Sequence, residues 1–302
     1  MIIFLYVIFS AVKNNSYFFM IKIGINGFGR IGRLAARIIL QKYKDKIDLV
    51  MINTSGSIDV NGWAQLFEYD TTYRLYPGQV EVKDSNLIVD GKSIYIHAER
   101  DPEKIPWGDY GVELVIESTG VFRKQEDMKK HLGDSVKKVL LSAPAKSEGI
   151  ETVVLGINDD ENTTKNNLLS NASCTTNCVA PVTQVMMQAF GVEKAAMTTI
   201  HAYTSDQSLQ DGSHKDMRRA RAAACNIIPT STGAAKATTK VLPQLENRFD
   251  GIAIRVPVIT GSLTDFTFVT NKKTKVEEVN QAFRQASVSG RLSNYLEVTN
   301  KP

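Results

Sequence analysis

Short, continuous apolar runs alternate with amphipathic stretches along the first half of the chain. Ile21-Lys-Ile-Gly-Ile25 is a brief run rich in β-branched residues, the pattern of a strand buried on both faces. Beyond a glycine cluster, Ile31, Leu34, Ala35, Ile38 and Ile39 recur at helical spacing. Arg30, Arg33 and Arg37 fall on the other side of that helix. Leu49-Val-Met-Ile52, Leu114-Val-Ile and Lys138-Val-Leu-Leu141 read as further strands, the last two running into small hydroxyl residues. Residues 57–112 are less regular, with Asp90-Gly91 predicting a hairpin turn between Leu87-Ile-Val and Ser93-Ile-Tyr-Ile. Strands separated by helices predict a doubly wound parallel sheet, in which ligands bind at the carboxyl ends of the strands. In the second half, Val179, Val182, Val185, Met186, Ala189 and Phe190 mark a helix, and Ala195 to Thr204 a strand.

The glycine cluster is Gly27-Phe-Gly29-Arg-Ile-Gly32. Its place between a strand and a helix is the context that dinucleotide binding needs. Gly27 permits a tight turn, Gly29 lets backbone approach a pyrophosphate, and Gly32 lets helix pack on strand. The helix start adds unpaired N–H groups for that anion. After the second strand comes Asn53-Thr54-Ser55-Gly56, with no carboxylate to hold the ribose hydroxyls. An acid there would repel a 2′-phosphate, whereas Thr54 and Ser55 are hydrogen-bond donors. NADP is therefore expected to be tolerated or preferred. In the alternative, Asn53 and backbone groups hold the ribose of NAD.

Asn171-Ala-Ser-Cys174-Thr-Thr-Asn-Cys178 opens the second-half helix with capping residues, which puts Cys174 at a helix N-terminus. There the dipole favours a thiolate and lowers a thiol pKa from its usual value of about 8.5. Cys178, one turn on, reads as a small packed hydrophobe. A cysteine at a helix start is more often structural than catalytic unless a base is at hand. Among the four histidines, His201 lies on an apolar strand close in sequence to the cysteine helix. His131 falls in a polar helical stretch from Gln125 to Leu132, His97 in a strand beside a loop, and His214 in a polar loop.

Composition narrows the class. With 302 residues, 43% apolar and 23% charged, the chain is an ordinary globular sequence long enough for two domains. The net charge of +4, from 36 basic and 32 acidic residues, is dispersed and argues against nucleic acid. Three cysteines are too few for a disulfide framework and point to a reducing, cytoplasmic compartment. No run approaches the ~18 apolar residues of a membrane span. The apolar stretch Met1 to Val12 lacks a preceding basic region and a small-residue cleavage site. Residues 1–19 are expected to lie outside the fold, ahead of a second start at Met20, with a signal segment as the alternative.

Ala172-Ser-Cys-Thr-Thr-Asn-Cys178 and Gly24-Ile-Asn-Gly-Phe-Gly-Arg-Ile-Gly-Arg33 together resemble the phosphorying class of glyceraldehyde-3-phosphate dehydrogenases, the phosphorylating enzymes of that name. Arg218-Arg-Ala-Arg-Ala-Ala-Ala, Ile227-Ile-Pro-Thr-Ser-Thr-Gly-Ala-Ala-Lys236 and Arg255-Val-Pro257 are similar to the same family, in collinear order from Met20 to the end. The resemblance implies an α/β protein. A Rossmann-type doubly wound dinucleotide-binding domain covers 20–172, and an α+β catalytic domain with a mixed or antiparallel sheet covers 173–302. It implies oxidation of glyceraldehyde 3-phosphate to 1,3-bisphosphoglycerate with NAD or NADP and inorganic phosphate, in central carbon metabolism and, for a full-length chain, as a homotetramer using the segment around residues 203–227. Cys174 matches the nucleophile and His201 the base. Ser173, Thr175, Thr232 and Gly233 match the inorganic-phosphate site. Thr204 and Arg255 match the site for the substrate's phosphate, joined by Arg219, with Arg218 and Arg221 close by in sequence. Gly27, Phe28, Gly29, Arg30, Ile31, Gly32, Asn53, Thr54, Thr119 and Ser142 match the cofactor site.

Two departures from the family pattern stand out. Thr54 occupies the place of the ribose-binding acid, and the chain stops at Pro302, short of the family's last sheet strands, its carboxamide-binding asparagine and its final helix. The catalytic domain is accordingly expected to be incomplete. The competing expectations are erythrose-4-phosphate oxidation, disfavoured by the Ser173, Thr175 and Thr232 set, and a non-catalytic binding fragment.

Overall fold

A computed structural model describes residues 20–160, 163 and 165–301. The expectations for residues 1–19 lie outside the described residues. The chain divides into two compact units. One runs to Val153 and includes Asp159–Ala172; the other comprises Val154–Asn158 and the chain from Ser173 onward.

In the first unit β1 (Ile21–Asn26) leads through the glycine turn into α1 (Arg30–Lys42), then β2 (Ile47–Thr54) and α2 (Val60–Glu68). A small hairpin of β3 (Tyr69–Asp70) and β4 (Arg74–Leu75) precedes a meander of β5 (Val80–Lys83), β6 (Asn86–Val89) and β7 (Lys92–Ala98). There follow β8 (Leu114–Glu117), α3 (Gln125–Lys129), β9 (Lys138–Leu141), β10 (Glu151–Thr152) and β11 (Leu168–Ser170). All but the β3–β4 pair form one sheet in the order β10-β11-β9-β8-β1-β2-β7-β6-β5. It is parallel from β10 to β7 and antiparallel through β6 and β5. The chain leaves β1 towards β2 on one side and returns to β8 on the other. A crevice for ligand therefore opens at the carboxyl ends of these strands. Asp90 and Gly91 both take left-handed φ values, 49° and 78°, as the tight β6–β7 hairpin requires.

The parallel strands have apolar neighbours on both sides. Ile23, Ile25, Leu49, Met51, Ile52, Val115 and Ile116 are fully buried. Each such side chain contributes about 1.5–3 kcal/mol on leaving water. In α1 the apolar face is rotated from the one the spacing predicts: Ile31 is 47% exposed, whereas Arg37 is buried. Arg37 is no surface charge. Its guanidinium donates to the carbonyls of Phe67, Glu68 and Arg74 at 2.7–3.0 Å and stacks on Phe67 and Tyr76. That set of acceptors exists only once α2 and the β3–β4 hairpin have docked. His131 also departs from its expected polar helix. α3 ends at Lys129, and His131 is buried against Trp107 and Glu117.

In the second unit α4 (Cys174–Phe190) is followed by β12 (Val192–Ala202), β13 (Ile228–Ser231), α5 (Ala234–Val241), β14 (Phe249–Val256), β15 (Ser262–Thr270) and α6 (Val276–Val288). The sheet order is β13-β14-β12-β15. β12 pairs parallel with β14 and antiparallel with β15, so this sheet is mixed. Among the described residues no helix is long and apolar enough to cross a membrane.

Candidate active site

The glycine turn forms one wall of a cleft in the first unit. Gly27 has φ +94°, and a Cβ there would lie 2.7 Å from the Thr119 nitrogen. A Cβ on Gly32 would lie 2.0 Å from the Gly27 carbonyl, so α1 reaches β1 only with glycine at that point. Gly29 faces open space. The cleft, of about 480 Å³, is lined by Gly27, Phe28, Gly29, Asn53, Thr54 and Thr119 from the predicted set. A bare backbone wall beside a helix N-terminus fits a pyrophosphate. Asn26, Trp63, Glu99 and Arg100 line it as well.

Four predicted residues do not line this cleft. Gly32 serves packing. Arg30 pairs with Asp70 at 3.3 Å, and Ile31 faces solvent. The Ser142 amide donates to the Glu117 carbonyl, which places Ser142 beyond the end of β9. Thr54 lines the cleft, but its hydroxyl donates to the His97 carbonyl and accepts from the Gly56 amide. That corrects its expected use as a donor to a 2′-phosphate. Asn53 is spent similarly, bonded to Asn26 and to the Glu99 backbone on both its faces. Ser55 pairs with Ser57. The charged side chains at that end are Arg100, which is exposed, and Glu99, whose carboxylate accepts from the Arg100 and Asp101 amides.

In the second unit Ser173 caps α4, its hydroxyl accepting from the Thr176 amide at 2.9 Å and sharing a hydrogen bond with the Thr176 hydroxyl. Cys174 is thereby fixed as the first helical residue. His201 stands one residue before the end of β12, and its Nε2 lies 3.2 Å from the Cys174 Sγ. His201 Nδ1 lies 2.7 Å from the Ala202 carbonyl, an acceptor only, so Nδ1 carries a hydrogen. Burial pushes the Cys174 thiol up, but the hydrogen bond and charge of His201 and the Thr175 contacts outweigh it, leaving the thiol below its ordinary value. The Cys174 contact raises His201 despite partial desolvation. Both shifts arise from the same contact, in which each group's charged form favours that of the other.

Cys178 does not pack away as expected; its residue is exposed. Its thiol is nevertheless pushed up by partial burial of the sulfur, against a weaker lowering contact from Thr264. The two cysteines of one helix are thus shifted in opposite directions, because only the first touches an imidazole.

Parallel pairing of β12 and β14 sets His201 opposite Arg255. One Arg255 Nη donates to the Thr204 hydroxyl at 2.9 Å and to the Ala202 carbonyl, while its buried Nε has no partner among the described residues. Arg219 is distinguished from its neighbours: Arg218 forks onto Asp216 and Arg221 pairs with Asp211, both at the surface. Arg219 turns inward to the Thr230 hydroxyl, the Ser231 carbonyl and Asp206. The charges of Arg219, Asp206 and Cys174 all register on Arg255, so these groups share one electrostatic neighbourhood. Asp206, which also meets His214 at 3.3 Å, carries no motif and was not singled out by sequence. Thr175 is buried 3.9 Å from the Cys174 sulfur. Thr232 accepts from the Ala234 amide, and Gly233 is the N-cap of α5. The Ser173 hydroxyl accepts the cap bond, and either it or the Thr176 hydroxyl can be the donor in the bond between them.

Residues 21–125 match the model of the glyceraldehyde 3-phosphate dehydrogenase NAD binding domain, and residues 173–302 that of the C-terminal domain. The chain belongs to the glyceraldehyde-3-phosphate dehydrogenase family. Glyceraldehyde-3-phosphate dehydrogenase 2 of Streptomyces avermitilis is 51% identical over 283 residues, covering 93% of this chain and 83% of that protein. Glyceraldehyde-3-phosphate dehydrogenase 1 of Bacillus cereus is 50% identical over 94% of this chain and 83% of its own length. The Zymomonas mobilis enzyme is 46% identical with similar coverage. The cofactor class of the family is NAD(P), in keeping with the first unit's cleft.

Proposed function

We propose that this chain oxidises glyceraldehyde 3-phosphate to 1,3-bisphosphoglycerate with NAD(P) and inorganic phosphate, through a covalent thioester on Cys174. The observation that carries the proposal is the 3.2 Å contact between Cys174 and His201 at a helix start. The thiolate attacks the aldehyde carbon; a carbon–sulfur bond forms and the carbonyl oxygen takes a proton from the imidazolium. The Cys174 amide at the start of α4 and the His201 ring stabilise that oxygen as charge develops on it. His201, now neutral, accepts the hydroxyl proton as the carbon is oxidised to the thioester. The nicotinamide, when bound, supplies the hydride acceptor. Phosphate then adds to the thioester carbon and the Cys174 thiolate leaves, releasing the acyl phosphate.

Arg255, Thr204 and Arg219 are proposed to hold the substrate's phosphate, for which a guanidinium fork with an unpartnered Nε is suited. Thr175, Thr232 and the α5 start around Gly233 are proposed to receive inorganic phosphate. The tip of β2 presents no acid, so NADP is proposed as a cofactor alongside NAD. Reduced-cofactor formation from glyceraldehyde 3-phosphate, with and without inorganic phosphate, tests the proposal. Phosphate-dependent turnover yielding the acyl phosphate is expected; equal rates without phosphate, releasing the free acid, would overturn it.

A further inference from the structure

Behind the lining of the dinucleotide cleft lies a fully buried acid with no part in the proposed chemistry. Glu117, the last residue of β8, is 0% exposed. Strand register sets three polar residues in a row across the sheet, Asn53 on β2, Asn26 on β1 and Glu117 on β8. Four hydrogens converge on the Glu117 carboxylate. One oxygen accepts from the Thr119 amide at 2.8 Å and from the Thr119 hydroxyl. The other accepts from the Asn26 amide at 2.6 Å and faces His131 Nε2 at 3.2 Å.

The direction of each bond is determined. The Trp107 indole can only donate, and it points at His131 Nδ1 from 3.2 Å. The imidazole therefore keeps its hydrogen on Nε2 and offers it to Glu117. The Thr119 hydroxyl accepts from the Val121 amide, so its own hydrogen goes to Glu117. The Asn26 oxygen accepts from Asn53, which fixes the Asn26 amide as the donor. Asn26, Thr119, Val121 and Phe122 all line the cleft; Glu117 does not.

Resting on the dinucleotide reading of that cleft, we infer that Glu117, backed by His131 and Trp107, is a positioning residue for cofactor binding. It holds the β8 exit turn and the Asn26 amide in the shape that the dinucleotide meets. A glutamine in its place carries a single oxygen. In either orientation its NH2 group faces two of the four existing donors, so either the Thr119 turn or the Asn26–His131 side loses its acceptor.

The test is calorimetric titration of the full chain with NAD and with NADP, combined with steady-state kinetics. Glu117→Gln is expected to weaken cofactor binding by about tenfold, the scale of one misplaced buried hydrogen bond, while KM for glyceraldehyde 3-phosphate stays within about twofold. His131→Gln can accept from the indole and donate to Glu117, and is expected to bind cofactor like the parent chain. His131→Leu cannot donate and is expected to weaken binding by about fivefold. If Glu117→Gln fails to fold, the His131 pair decides alone. Equal cofactor affinity in His131→Gln and His131→Leu would overturn the inference, as would a Glu117→Gln chain that melts earlier yet binds cofactor unchanged. A parent chain that binds neither dinucleotide would instead remove the reading of the cleft on which the inference rests.

Discussion

The two units use their polar side chains in opposite ways. In the first, Asn26, Asn53, Thr54 and Glu117 are buried and bonded to one another or to neighbouring backbone, and what faces the cleft is largely main chain and apolar surface. In the second, Cys174 is exposed, His201 is turned towards it, and the buried Arg255 Nε lacks a partner among the described residues. One unit shapes a cavity by satisfying its polar groups internally. The other leaves Cys174 exposed beside His201 and the Arg255 Nε without a partner among the described residues. Substitutions in the first unit should therefore act through shape, and those in the second through chemistry.

The largest expected effect follows from the second unit. Cys174→Ser should reduce kcat by about a thousandfold or more, and His201→Asn by about a hundredfold to ten-thousandfold, with dinucleotide affinity unchanged in both. Stopped-flow turnover and cofactor titration on the same samples check this, and a matching loss of cofactor affinity would break the contrast. Gly32→Ala comes next, because its new methyl meets the Gly27 carbonyl at 2.0 Å. A cost of about 3 kcal/mol in unfolding free energy is expected with weakened cofactor binding, read from denaturant titration. Ser173→Ala removes the α4 cap and should cost about 1 kcal/mol of stability, read in the same way. Thr54→Val is the smallest: with its hydroxyl already bonded to His97, the ratio of kcat/KM for NADP to that for NAD should change by less than about twofold.

Much of this contrast was legible in the sequence, unevenly. Gly27 and Gly32 mark a left-handed turn and a close helix–strand approach, and the fold uses them so, whereas Gly29 has an ordinary φ with open space beside it. The capping serine places Cys174 at the helix start, and the structure sets His201 3.2 Å from it, a contact that local sequence only suggests. Side-chain direction was harder. Helical spacing put Arg37 on the outer face of α1, since nothing in a local pattern shows that α2 and the β3–β4 hairpin bring backbone carbonyls to meet it. His131 reads as part of a polar helical stretch because its partners, Trp107 and Glu117, arrive from distant segments. Thr54 lines the cleft, but its hydroxyl donates to the neighbouring strand. Asp206 carried no signal, as its role depends on Arg219 folding back beside it.

The central claim is that Cys174 ionises easily because His201 stands beside it, and Cys178 supplies an internal standard on the same helix. A thiol with a lowered pKa stays ionised as pH drops below the ordinary thiol range and loses its thiolate only on passing through that lower value. A thiol with a raised pKa is already protonated there. Alkylation by iodoacetamide near pH 6.5, with each cysteine followed by mass spectrometry, should label Cys174 at least about tenfold faster than Cys178 or Cys225, and His201→Asn should abolish the difference. Equal labelling of the three cysteines in the parent chain, or a preference for Cys174 that survives His201→Asn, would contradict the account.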